Sequence, residues 1–112
     1  MPGLSILFFL LASPLETRCG WLDNPSPANW WLTDRDGEWV LMLQGAHDRN
    51  GFIDAPWDTG AGDWVETNGS YGYGCGCFIG SVDPATGWAT SVIRVQPLPL
   101  AQCRQDPALP PR

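Results

Sequence analysis

Two cysteines one residue apart, Cys75 and Cys77, sit in a run where almost every other residue is glycine, "SYGYGCGCFIG" over residues 70–80. In an extended strand both sulfurs leave the same face. A bond between positions i and i+2 is disfavoured there, because extended geometry holds the two residues apart. The chain has four cysteines, which allow three connectivities. Setting aside Cys75–Cys77 leaves Cys19 and Cys103 as partners, so each end of the domain is expected to be tied to one central strand. The two remaining connectivities are both open, and Cys19–Cys75 with Cys77–Cys103 is the one carried forward as the expectation. A four-cysteine zinc site normally shows two C-x2–4-C pairs, whereas this sequence has a single C-x-C. Neither a metal nor any cofactor is expected. The C-x-x-C spacing of a thiol oxidoreductase is likewise missing.

Disulfides need an oxidising compartment. Leu4 to Ala12, "LSILFFLLA", is an apolar run of signal-peptide length and too short for a membrane-spanning helix. Cleavage is expected between Ala12 and Thr17. This gives a signal peptide over about residues 1–17, a single domain over 18–105 and a Pro-rich, disordered tail over 106–112. The expected location is periplasmic or secreted, with no membrane span after processing. The lipoprotein alternative at Cys19 is not expected, because Glu16, Thr17 and Arg18 precede it in place of small apolar residues.

The remaining chain alternates like strands. Trp30–Thr33 and Glu38–Leu43 flank Asp34-Arg35-Asp36-Gly37, and residues 77–95 carry a second hairpin signal in "DPATG". If Asp83 faces Trp88, then Phe78 faces Ile93. One face would then hold Phe78, Val82, Ala89, Ile93 and Val95, and the other Cys75, Cys77, Ile79 and Val92. Glycine is a poor strand former with no side chain to pack. Aromatic rings are therefore expected over Gly74, Gly76 and Gly80, drawn from the seven tryptophans. Asn68-Gly69 reads as a turn into the glycine strand, although Asn68-Gly69-Ser70 also fits a glycosylation acceptor. No useful helical periodicity is present. The fold class is all-β, a small antiparallel sheet of four or five strands built from hairpins and stapled by two disulfides.

"ETRCGWLDNPSPANWWLTDRDGEWVL", "TNGSYGYGCGC" and the closing "PL…CR" resemble a small secreted bacterial family known as a domain of unknown function. The Cys-Gly-Trp and Tyr-Gly-Cys-x-Cys blocks carry the likeness, which covers about residues 16–106. It implies a secreted or cell-envelope location and no activity, substrate or catalytic residue.

The formal charge is −6, with six arginines, no lysine and no basic cluster. Phosphate neutralisation requires a basic stripe, so a nucleic-acid partner is not expected. His47 is the single histidine, and neither a G-x-S-x-G nor an H-E-x-x-H pattern occurs. Asp48, Asp54, Asp58 and Asp63 share the long segment between the hairpins, where turn solvation accounts for them; its "DRNGFIDAPWD" does not match a calcium loop. No catalytic residue is assigned, and the chain is not expected to be an enzyme; a hydrolase is the weaker alternative. The expected function is binding or inhibition of another envelope protein. Trp57, rimmed by Asp54 and Asp58, is the candidate patch. The alternative is a carbohydrate or peptidoglycan module using exposed tryptophan. Trp30 and Trp31 are adjacent, so on a regular strand only one of them can be core.

Overall fold

A computed structural model describes residues 14–59 and 62–112. The apolar run assigned to a signal peptide lies outside the described residues. The described residues form six strands, β1 (Glu16–Ser26), β2 (Asn29–Asp34), β3 (Gly37–Met42), β4 (Trp64–Asn68), β5 (Tyr71–Asp83) and β6 (Trp88–Leu98), followed by a short helix α1 (Leu100–Arg104). The expected hairpins form for the expected reasons. In the β2–β3 turn the Asp34 carboxylate accepts the N–H groups of Asp36 (2.8 Å) and Gly37 (3.1 Å). In the β5–β6 turn the Asp83 carbonyl accepts the Gly87 N–H at 2.9 Å, with Gly87 at φ +78° in the left-handed region.

The count of six exceeds the expected four or five because residues 16–26, mixed in polarity, pair along their whole length. β1 lies antiparallel to β5 from Glu16↔Gly80 to Asn24↔Gly72, and its other edge pairs with β2. β2 pairs with β3, and β3 meets β6 in parallel at Val40↔Trp88. Since β6 also pairs with β5, the strands β1-β2-β3-β6-β5 close into a ring, and β4 extends the β5 edge beyond the end of β6. Inside the ring lie Leu22, Leu32, Trp39, Leu41, Phe78, Val82, Ala89, Val92 and Val95, all buried.

The β5–β6 register departs from the expectation. Asp83↔Trp88 and Val82↔Ala89 hold, but bulges then shift the pairing to Ser81↔Ser91, Gly80↔Val92 and Phe78↔Val95. Each bulge adds one residue to β6. The two extra residues bring Val92 to the core face and leave Ile93 half exposed, the reverse of the expected assignment. The glycines also differ from expectation. A Cβ on Gly80 would stand 1.9 Å from the Ser91 carbonyl oxygen, and one on Gly20 would stand 1.9 Å from that of Thr33. Crossing backbone fills that space, with an aromatic ring only at Gly74.

All four cysteines are paired, as Cys19–Cys77 and Cys75–Cys103. This corrects the expected Cys19–Cys75 and Cys77–Cys103. The β1–β5 register sets Cys19 directly opposite Cys77, whereas Cys75 faces Trp21. Cys75 is left to reach α1, which lies against the outer face. Chain-entropy arguments give roughly 4 kcal/mol for each bridge.

The 106–112 segment, expected to be disordered, is packed on that outer face. Leu109 is buried with Trp21, Cys75 and Cys103, and the Trp21 indole N–H donates to the Pro110 carbonyl at 2.7 Å. At the β2–β3 turn Arg18 donates to Asp34 (2.9 Å), Asp36 (3.1 Å) and Glu16 (3.1 Å), and its guanidinium lies over Trp39. Burial alone would lower the Arg18 pKa, but hydrogen bonds to Asp34, Glu16 and Asp36 outweigh it and hold the group above its ordinary value.

The long segment after β3 is pinned by Asn50, which is buried. Its amide donates to the carbonyls of Leu41 on β3 and Ala89 on β6, each at 3.0 Å, and its side-chain oxygen accepts the Phe52 N–H at 3.0 Å. One side chain thus bridges the gap that opens between β3 and β6 below their single paired position, and seats Phe52 in the core. Asn50→Ala would leave two buried carbonyls and one N–H unpaired, at a cost of about 2–4 kcal/mol. Urea denaturation should show that loss with an unchanged m-value.

Candidate functional site

The same segment shapes a mostly apolar concavity. After Phe52 the chain runs parallel to β6: the Val95 N–H donates to the Pro56 carbonyl (3.0 Å), and the Asp58 N–H donates to the Val95 carbonyl (2.9 Å). This fixes Trp57 at the mouth of the ring, where 40% of it is exposed. The chain then returns as β4, whose first residue, Trp64, pairs with Gly74 on β5. Because β6 ends beside Cys75 and β4 begins beside Gly74, a gap opens between them along the β5 edge. Trp57, Trp64 and Pro97 wall this gap, Leu22 and Gly74 form its floor, and Asp63 sits at the rim.

The cleft holds about 190 Å³. Sites for whole small molecules usually start near 300 Å³, so this one accommodates about one large side chain. Its aromatic walls are braced from behind. Trp30 lies 5.6 Å from Phe52, 5.3 Å from Trp57 and 6.1 Å from Trp64, ring centre to ring centre, within the range of edge and tilted aromatic pairing. The Trp64 indole N–H is already engaged by the Ser70 carbonyl at 3.1 Å, so the ring offers mainly its apolar surface.

Of the residues singled out from sequence, Trp57 lines the cleft and Trp30 backs it, while Asp58 stands outside the lining. Trp30 packs against the core as a support, while its neighbour Trp31, on the far side of a bulge, alternates to the outer face opposite Asp23. Asp58 pairs with Arg94 at 2.5 Å at the surface, and its backbone N–H, bonded to the Val95 carbonyl, is what anchors the segment beside Trp57. Asp54 is exposed in the turn after Phe52 and stands apart from the cleft lining. His47 is also exposed and apart from it. Sequence reasoning missed Trp64, Phe52 and Pro97. Trp64 begins the short alternating run 64–67, and a tryptophan opening an edge strand was the available signal. The described residues contain no group of three His, Cys, Asp or Glu side chains placed to hold a metal ion.

Gly74 tests the cleft geometry. A Cβ there would lie 2.9 Å from both the Asp63 carbonyl oxygen and Trp64 Cε3. Gly74→Ala should displace the Trp64 ring and narrow the cleft at an overpacking cost of about 1–3 kcal/mol. Shifted ring resonances for Trp57 and Trp64, with those of Trp39 unmoved, would show it by NMR.

Among the comparisons with known proteins, no curated protein and no solved structure matches the chain. One family model does, described as "Protein of unknown function (DUF4087)", over residues 13–110. Covering all but the ends of the sequence, that match shows that the chain belongs to the DUF4087 family.

Proposed function

We propose that this protein is an exported, non-enzymatic binding module of the cell envelope whose ligand is another protein, held by the cleft between Trp57 and Trp64. The observation that carries this reading is the juxtaposition of the cleft with a free sheet edge. Among the described residues β4 pairs with β5 on one side only, and most of its own residues are exposed. An extended polypeptide can hydrogen-bond to such an edge while placing a side chain in an adjoining pocket. A glycan has no backbone to continue a sheet, and a space of about 190 Å³ suits one side chain better than a run of sugar rings.

Two disulfides fit an extracellular or periplasmic protein. No helix among the described residues is long and apolar enough to cross a membrane. A signal cut ahead of Glu16 would leave β1 whole. The aromatic wall supports binding, because tryptophans in well-packed clefts carry a large share of interface energy. Blocking an envelope hydrolase is one form such binding could take. The carbohydrate alternative rests on the same exposed rings.

Capture from native envelope extract with the immobilised chain, followed by mass spectrometry, separates the readings. A protein retained by the wild type should be lost by Trp64→Ala, with a fall in affinity of about 30-fold or more, matching the roughly 2 kcal/mol of a hot-spot residue. Trp88→Ala, which removes a ring stacked on Arg49 elsewhere on the surface, should retain it. Retention of peptidoglycan that Trp64→Ala releases would favour the carbohydrate module. Equal capture by both variants would remove the cleft from the account.

A further inference from the structure

The outer face of β1 and β5 carries a cluster of anionic and aromatic side chains, built by register. Residues 19, 21 and 23 of β1 stand opposite 77, 75 and 73 of β5, so Asp23 and Tyr73 form one rung and Trp21 and Cys75 the next. Asp23 is buried, its side chain 12% exposed, and Trp21 is fully buried with its ring edge-to-face with Tyr73 at 5.5 Å. A single cation meets all three. Arg112 donates from Nη1 and Nη2 to the two Asp23 carboxylate oxygens at 2.5 and 3.0 Å. Its guanidinium carbon lies 5.0 Å from the Tyr73 ring centre and 5.5 Å from that of Trp21.

Each contact selects for shape as well as charge. A planar fork matches a carboxylate through two parallel hydrogen bonds, and the same plane stacks on aromatic faces; an ammonium group offers a point charge that can do neither as well. Aromatic faces within about 6 Å attract the cation electrostatically, more strongly where water is excluded. With Arg112 absent, the Asp23 carboxylate would lose two charged hydrogen bonds and its charge partner.

We infer that Trp21, Asp23 and Tyr73 form a guanidinium-recognition site that Arg112 fills in cis and that a guanidinium supplied in trans can occupy, its ligand class being the arginine side chain. The site lies on the opposite face of β1 and β5 from Leu22 and Gly74, the floor of the tryptophan cleft. The strap of residues 106–112 therefore acts as a built-in occupant, held at Leu109, at the Pro110 carbonyl and at Arg112. Its three-point attachment gives it the advantage of a tethered ligand. An arginine from outside must displace the last of those points.

Chemical rescue tests the assignment in the full chain. Arg112→Ala should lower Tm, and about 20 mM ethylguanidinium, well below the concentrations at which guanidinium denatures, should restore at least half of the fall. The rescue should saturate and shift the Trp21 indole N–H resonance. The same concentration of ethylammonium should restore less than a quarter, and Arg112→Ala with Asp23→Asn should not respond to either. Arg112→Gln removes the charge while keeping a long side chain, and should also lose Tm and be rescued by ethylguanidinium; it serves if Arg112→Ala does not fold. Equal rescue by ethylammonium would reduce the contact to simple charge pairing. No rescue by either cation, or the same rescue without the Asp23 carboxylate, would overturn the site.

Discussion

The antiparallel register of β1 on β5 is the constraint from which the rest of this fold follows. The side-chain period of a strand is two, so a slip of one residue would send every inward residue outward. With Cys19 opposite Cys77, Leu22, Phe78 and Val82 face the interior and the odd-numbered residues face out. The Cys19–Cys77 bridge lies across a paired position and fixes that alignment covalently. Ring closure then depends on glycine, because the neighbouring strands cross so closely that Gly20 and Gly80 have no room for a Cβ.

Each face of β5 consequently has a different task. Its inner face supplies the floor of the core and, at Gly74, the floor of the aromatic cleft. Its outer face is a ladder of anchors for the end of the chain, with Cys75 bonded to Cys103, Trp21 covered by Leu109 and Pro110, and Asp23 bound by Arg112. A second apolar cluster therefore forms outside the ring, giving a small domain more buried surface than its interior alone provides. Asn50 serves the opposite side, where β3 and β6 separate and only a side chain can satisfy both strands.

Much of this was legible from local chemistry. The Asp34–Gly37 and Asp83–Gly87 turns, the all-β class and the tethering of both ends to the Cys75/Cys77 strand follow from turn residues, alternation and strained-ring geometry. What escaped depends on non-local geometry. Either surviving connectivity satisfies one central strand, and only the β1 register distinguishes them. The bulges that exchange Val92 and Ile93 leave no mark in a sequence whose alternation continues past them. The composition of residues 106–112 reads as disorder because its stabilising partners, Trp21 and Asp23, are some ninety positions away in the chain. The cleft is half visible in the sequence: Trp57 stands out in a loop, while Trp64 becomes a wall only because β4 and β6 lie end to end on β5.

Non-reducing peptide mapping of the folded protein tests the register claim most directly. Cleavage between Cys75 and Cys77, at their single intervening glycine, can be made by partial acid hydrolysis or replaced by fragmentation of the linked peptides in the mass spectrometer. The account predicts fragments joining Cys19 to Cys77 and Cys75 to Cys103, with no alkylatable thiol. Fragments joining Cys19 to Cys75 and Cys77 to Cys103 would require β1 to slide two residues along β5, and would contradict it.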